Sequence, residues 1–224
     1  METNFDKISD LIIENNNQFI VCNKPAGLPS VPDKSNDTNI QNLLESYCKQ
    51  SLHALSRIDR PVSGIMLFSK NNNATTTLTE QLKNRSVQKV YYGFVEGHLD
   101  TDQGEMVDYL IKKGNKAQVV PEGSKDSKIA KLSYKVVDQL ERYTLLELEL
   151  ITGRFHQIRA QLAHIGHPLK GDVKYGARRK NRDRSIHLHA YKLKFNHPVT
   201  NEEVEYHADF PNTDSLWDIA KSKV

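Results

Sequence analysis

The sequence predicts an α+β fold in which helices flank a mixed, mainly antiparallel β-sheet. Leu146-Glu147-Leu148-Glu149-Leu150 alternates strictly, the period of a strand with one face buried. Ile40, Leu43, Leu44, Tyr47 and Cys48 recur at helical spacing, and Ala74, Leu78 and Leu82 do the same. Strands and helices also follow one another without the regular βαβ rhythm that builds a parallel sheet.

Each element has its own local reason. Phe19 to Cys22 is an apolar run closed by Asn23-Lys24-Pro25-Ala26-Gly27. A strand therefore runs into a turn, because proline lacks the N–H a ladder needs and glycine tolerates positive φ. Thr38 stands as the N-cap of the first helix, and the second ends near Asn84. Strands are expected at Ile65–Ser69 and Val90–Val95, then at Ala130–Val137 paired with Tyr143–Ile151 across a turn at Asp138–Arg142. Glu147 and Glu149 fall together on the solvent side of the last strand. Paired carboxylates cleave glycosidic bonds, but two on one exposed strand face are read as structural. Thr152 then caps a helix from Arg154 to Ile165, with Phe155, Ile158, Leu162 and Ile165 as its core stripe and Gly166 past its end. Arg154 in the first turn opposes the helix dipole, so a nearby anion accounts for it better than helix stability does.

With 224 residues, 38% hydrophobic and 26% charged, the chain can bury a core, and no Pro/Gly/Ser linker divides it. It is read as one domain, 1–224. No run approaches the roughly 18 apolar residues of a membrane span, and METNFDKISD lacks the basic and apolar regions of a secretion signal. Cys22 and Cys48 are too few for a disulfide framework, so a cytoplasmic location is expected. The net charge of +3 is unevenly spread: between Ile151 and Lys194 stand 11 basic residues against two acidic ones. Such a block attracts polyanions and releases their counterions, which makes nucleic acid the first partner to consider. The Arg178–Arg184 run on its own is no more than a solvated loop.

Three segments can carry chemistry. In Arg57-Ile58-Asp59-Arg60-Pro61-Val62-Ser63-Gly64 a carboxylate sits between two cations, on a stiff loop opening a strand. Taken alone, an Asp closing a turn or forming a surface ion pair explains it better. Lys89-Val90-Tyr91-Tyr92 puts two tyrosines on opposite faces of a strand, where one could stack on a base or both could serve the core. The third is the helix after Thr152 with the Gly-rich stretch from His167 to Gly176. His156, His164 and His167 are poorly spaced for a metal, and no HExxH, GxSxG, GxxxxGK[ST] or GxGxxG is present. What remains is a carboxylate-centred, metal-free chemistry beside a polyanion site.

Together these segments resemble the RluA-type pseudouridine synthases, which isomerise uridine in RNA. Phe19 to Leu28 is similar to that family's strand and "NKPAG" turn, and Arg57-Ile58-Asp59-Arg60 with Ser63-Gly64 to its "HRLD…SG" motif. Lys89-Val90-Tyr91 through Gly97 is similar to its tyrosine strand. Thr152-Gly153-Arg154-Phe155-His156-Gln157-Ile158-Arg159, followed by Gly166-His167-Pro168 and Gly171-Asp172 through Tyr175-Gly176, is similar to its third motif. Ser56 stands where the family usually has His, and Pro61-Val62 where Asp-Thr is usual.

The resemblance implies a single pseudouridine-synthase-like catalytic domain with Asp59 as the catalytic carboxylate. That residue attacks the ribose at C1′ or deprotonates C2′, and the sequence leaves both routes open. Tyr91 would lie against the uracil and help remove the C5 proton, and Arg159 would pair with Asp59, with Arg154 as the alternative. Arg57 would enter the base stack as the target flips out, and Arg154, His156 and Gln157 complete the expected substrate-binding set. No cofactor, no metal and no obligate protein partner are implied. The match begins near residue 19, so no separate RNA-binding domain is expected in front of it. The partner is RNA, ribosomal or transfer, and the chain is expected to be a monomer. Two other classes stay open on the residues alone: a catalytically idle RNA-binding protein of the same fold, and a metal-dependent phosphodiester hydrolase.

Overall fold

The computed structural model describes residues 5–224. In chain order its strands and helices are β1 (Ile12–Asn15), β2 (Phe19–Lys24), α1 (Ile40–Cys48), β3 (His53–Ala54), β4 (Ser63–Ser69), α2 (Asn72–Lys83), β5 (Gln88–Glu96), β6 (Gln103–Lys113), β7 (Lys116–Val120), β8 (Lys128–Gln139), β9 (Tyr143–Leu150), α3 (Gln157–His164), β10 (Leu188–Asn196), β11 (Glu203–His207) and α4 (Ser215–Lys223). No helix among the described residues is long and apolar enough to cross a membrane. The chain falls into two compact units, one made of the stretch up to Gln88 with His189–Pro211, the other of Lys89–Leu188 with Asn212–Val224.

The first unit holds a mixed sheet. Every residue of β4, Ser-Gly-Ile-Met-Leu-Phe-Ser, is buried, as suits a central strand with apolar cover on both faces. β2 pairs antiparallel along one edge of it, and β1 pairs antiparallel with β2. On the other edge β10 runs parallel to its first residues through His189↔Ser63 and Ala190↔Gly64, while β3 is antiparallel to its end. β11 pairs antiparallel with β10. Helix α1 begins one residue later than Thr38 implied: the side chain of Asn39 accepts from the Asn42 N–H and caps it. Asn71 caps α2 in the same way, and that helix ends at Asn84, as its periodicity indicated.

The parallel contact at β4 depends on a glycine. Gly64 has φ +120°, and a Cβ there would stand 2.2 Å from the Ala190 carbonyl oxygen and 2.5 Å from the Ala190 nitrogen. Both obstacles are backbone atoms of a buried strand, which cannot swing away. We expect Gly64→Ala to cost about 3 kcal/mol from overpacking together with backbone strain. A urea melt checks this; a loss under about 1 kcal/mol would mean the ladder shifts freely.

The second unit is wholly antiparallel, in the order β5-β9-β8-β6-β7. Leu146 and Leu148 of β9 are fully buried, in line with the alternation. Glu147 accepts from the Tyr92 hydroxyl at 2.5 Å, across the Tyr92↔Glu147 register pair, which gives this carboxylate the structural role expected of it. The β6–β7 hairpin and α4 have no counterpart among the expected elements. β6 carries an irregular apolar pattern without clean alternation, and α4 is anchored by Trp217 rather than by an apolar stripe. Trp217 is buried edge-on against Phe94 and stacked on His187.

The expected helix over Arg154–Ile165 is shorter than its sequence pattern. His156 takes the left-handed conformation (φ +50°), which a right-handed helix cannot include, so α3 starts only at Gln157. Thr152 does not cap it. Its hydroxyl accepts from the Lys131 N–H of β8 at 2.8 Å and donates to the Gln157 amide oxygen at 2.8 Å. Ile158 and Leu162 are buried as expected, whereas Phe155 (41% exposed) and Ile165 (43%) are not core residues. Small residues opposite the helix set its close approach, since Ala160 packs with Ala117, Ala130 and Leu110.

Candidate active site

In the first unit Asp59 lies half-buried on the loop before β4, between residues that are each pinned. On one side the Ser30 hydroxyl donates to the Ile58 carbonyl at 2.6 Å and accepts from the Ile58 N–H at 3.2 Å. On the other, the Gly27 N–H donates to the Arg60 carbonyl at 2.7 Å, and the Arg60 Nε returns a bond to the Gly27 carbonyl at 2.9 Å. Arg60 also meets Asp37 at 2.7 Å. Gly27 and Ser30 thus clamp the Asp59 loop from its two sides. Arg57, two residues earlier, is exposed.

Beneath this clamp sits Lys24, which in the sequence looks like an ordinary turn residue. It is fully buried. Its Nζ donates to the carbonyls of Pro25 (2.9 Å), Leu28 (2.8 Å) and Arg60 (3.4 Å). Burial pushes its pKa down to about 7, against which the neighbouring Cys22 and the charge of Asp59 act. Burial likewise pushes the Cys22 thiol up to about 12. Lys24 ties both sides of the clamp together and places a protonatable amine near the Asp59 carboxylate. The signal that could have found it is its place, a lysine directly after an apolar strand that leaves no room for solvent.

In the second unit Tyr91 sits on β5, half-exposed, paired in register with Leu148. Lys89, two residues before it on the same face, is mostly buried, and that burial pulls its ammonium below the usual lysine range. Arg159 is buried in α3 and meets Asp172 through two bonds, Nε to Oδ2 at 2.7 Å and Nη2 to Oδ1 at 2.8 Å. Tyr175 lies under its guanidinium, 5.0 Å to the ring centroid. This fork-to-fork pair fixes the plane of the arginine. Sequence alone does not pair the two, because an Asp inside a Gly-rich loop looks like a turn residue.

The other expected binding residues cluster around the loop before α3. Arg154 is part-buried, with its Nε donating to the Ile129 carbonyl at 2.9 Å, so it lies in a loop and not in a helical first turn. Gln157 is buried, its amide oxygen accepting from the Arg154 N–H at 3.0 Å and its amide nitrogen donating to the Lys131 carbonyl at 3.1 Å. It shapes the loop from within. His156 bonds the Tyr175 hydroxyl through Nδ1 at 2.8 Å.

The basic run has an anchored base. Asn181 accepts from Lys170 at 2.9 Å, and its amide nitrogen lies 2.9 Å from His187 Nδ1. His187 Nε2 in turn lies 2.9 Å from Asp214, the cap of α4. An amide N–H directed at Nδ1 leaves the imidazole proton on Nε2, which lies at ion-pair distance from the carboxylate but out of hydrogen-bond geometry. Burial holds the His187 pKa below its usual value, consistent with a neutral ring. His187 is therefore a network residue just outside β10, whereas His189, inside β10, bonds the Ser63 hydroxyl at 2.8 Å. Around Asn181, the side chains of Arg178, Arg179, Lys180, Arg182 and Arg184 are exposed. Among the described residues no group of three or more His, Cys, Asp or Glu could hold a metal ion.

Known proteins share both the sequence pattern and the fold. The RNA pseudouridylate synthase family matches residues 18–164. The uncharacterized RNA pseudouridine synthase YhcT of Bacillus subtilis is 34% identical over 210 residues, 90% of this chain and 68% of that protein. Ribosomal large subunit pseudouridine synthase D of Vibrio cholerae is 33% identical, covering 90% of this chain and 67% of its own. tRNA pseudouridine synthase C of Vibrio parahaemolyticus is 29% identical, covering 90% and 91%. In fold, human RNA pseudouridylate synthase domain containing 1 superposes with a TM-score of 0.77 at 22% identity, over 99% of this chain and 97% of that one. These matches make the protein an RNA pseudouridine synthase, an isomerase. Within that class the chain belongs to the RluA-type family.

Proposed function

We propose that this enzyme isomerises specific uridines of ribosomal or transfer RNA through Asp59, without metal or cofactor, acting as a cytoplasmic monomer whose residues 1–224 form one catalytic domain. The observation that carries the reading is the construction around Asp59: a carboxylate on a loop whose neighbour Ile58 is held by the Ser30 hydroxyl and whose neighbour Arg60 is bonded to Gly27. A group fixed in this way can meet a reacting carbon in one geometry, which is how positioning lowers a barrier. Asp59 either attacks C1′ or removes the C2′ proton. In both routes the N1–C1′ bond breaks, the uracil turns, C5 bonds to C1′, the C5 proton leaves and N1 gains a proton, so the atoms balance without a co-reactant. Tyr91 assists at C5, and Arg159 serves as the cation that keeps Asp59 ionised.

RNA is held by charge and by the loop before α3. Arg57, Arg154 and His156 contact it in this reading, with Gln157 holding the Arg154 backbone. The target uridine is flipped out of its stack, as chemistry on a base in folded RNA requires. The anchored basic run supplies phosphate contacts. Replacing Arg178, Arg179, Lys180, Arg182 and Arg184 by Ala should weaken RNA binding and flatten the plot of log affinity against log salt by about one for each phosphate no longer neutralised. An unchanged slope would return the run to a solvated loop.

The substrate is tested by mapping pseudouridine in total RNA from a strain lacking the gene. The expected result is loss of modification at one or a few positions in ribosomal or transfer RNA, restored by the wild-type gene. An unchanged map would contradict the reading.

A further inference from the structure

Phe155 is the exposed aromatic ring that the helix pattern assigned to the core, and its setting is unlike that of a stray surface residue. Its ring stacks on His156, 3.9 Å between centroids and 18° from parallel. The imidazole is itself fixed, because the Tyr175 hydroxyl that bonds it at 2.8 Å also accepts from the Ala117 N–H of β7 at 2.7 Å. His156 takes the left-handed backbone conformation, and Phe155 before it is exposed. A single exposed apolar side chain needs no explanation, but a ring held flat against a pinned second ring is an ordered aromatic face.

The surroundings of that face are cationic. The Lys112 Nζ lies 4.7 Å from the Phe155 centroid and the Lys116 Nζ lies 5.9 Å from that of Tyr175. Lys113 stands opposite Lys116 in the register of the hairpin tip, and all three lysines are exposed. No carboxylate occurs from Tyr109 to Val120. Among the described residues none of the three lysines takes part in an ion pair. A protein partner would be expected to meet a wider apolar area; an aromatic face ringed by uncompensated ammonium groups fits a partner that is both planar and anionic.

We propose that Phe155, backed by His156 and flanked by Lys112, Lys113 and Lys116, is a stacking platform for an unpaired nucleotide of the RNA substrate other than the uridine that is isomerised. The proposal rests on the reading of RNA as substrate and adds where and how part of it is gripped. An ammonium over an exposed ring is held more weakly than a stacked base. Lys112 therefore gives up the ring to the base and moves to its phosphate, with Lys113 and Lys116 neutralising those on either side.

The test is binding of a fluorescently labelled twelve-nucleotide oligouridylate, alongside pseudouridine formation on unmodified ribosomal and transfer RNA transcripts. Phe155→Ala should weaken oligouridylate binding roughly ten-fold with an unchanged salt slope, and Phe155→Trp should restore it. Replacing the three lysines by Ala should lower the slope by about two. If the wild-type protein modifies transcripts but Phe155→Ala binds as tightly as wild type, or the wild type fails to bind the oligouridylate, the platform is overturned while the synthase reading stands. If wild type neither binds RNA nor modifies it, both fall. Weakened binding in Phe155→Ala that Trp does not restore points to a protein-contacting or structural ring and also overturns the platform.

Discussion

Asp59→Asn should abolish pseudouridine formation, by at least about 10⁴-fold, while leaving RNA affinity within about three-fold. The substitution keeps the size of the side chain and removes only its basicity and negative charge. Asp59 is half-buried, and its loop is fixed on both sides through Ile58 and Arg60. The loop should therefore keep its shape, and the loss should fall on the chemical step. Measured by single-turnover kinetics on an unmodified transcript, the defect belongs in the rate constant rather than in the affinity. Turnover within ten-fold of wild type would remove Asp59 from its role.

The second large effect is expected at Asp172. With both partners almost inaccessible, Arg159 and Asp172 have exchanged their hydration for each other. Removing one breaks a buried, doubly bonded ion pair, so Asp172→Ala should cost about 3–5 kcal/mol. The double change Arg159→Met with Asp172→Leu should recover much of that stability, since an apolar pair of similar volume carries no desolvation cost. Activity should not return with it, because the guanidinium that the pair holds in place is gone. Denaturant midpoints and transcript assays on the same three proteins separate the two effects. A loss below about 1 kcal/mol for Asp172→Ala would show that the pair is solvated in practice.

These expectations show what could be read from residues alone. The strands β8 and β9 and the helices α1 and α2 were legible because one-sided burial leaves a period in the sequence, and β2, β4 and β5 because burial leaves a run of apolar residues. The loop before α3 departs from its sequence pattern for a physical reason. Its apolar spacing continues through Phe155 to Ile165, yet a single left-handed residue at His156 ends the pattern, and nothing in side-chain spacing announces a backbone angle. Asp59 drew notice by its place between cations ahead of a strand, but only the family resemblance gave it an expected role. Lys24 showed only its place at the end of an apolar strand, its bond to the Arg60 carbonyl being distant in the chain, and Asp172 gave no sign of its partner, the Arg159 guanidinium on another element. The basic run was visible as charge, but the anchoring of Asn181 by Lys170 and His187 was not.

The central claim is that Asp59 carries a metal-independent isomerisation. Its most direct test incubates the purified protein with unmodified ribosomal and transfer RNA transcripts in excess EDTA and maps pseudouridine at nucleotide resolution. The account predicts pseudouridine at discrete positions with the wild-type protein and none with Asp59→Asn. Binding with no pseudouridine, or activity that appears only when a divalent metal is restored, would contradict it.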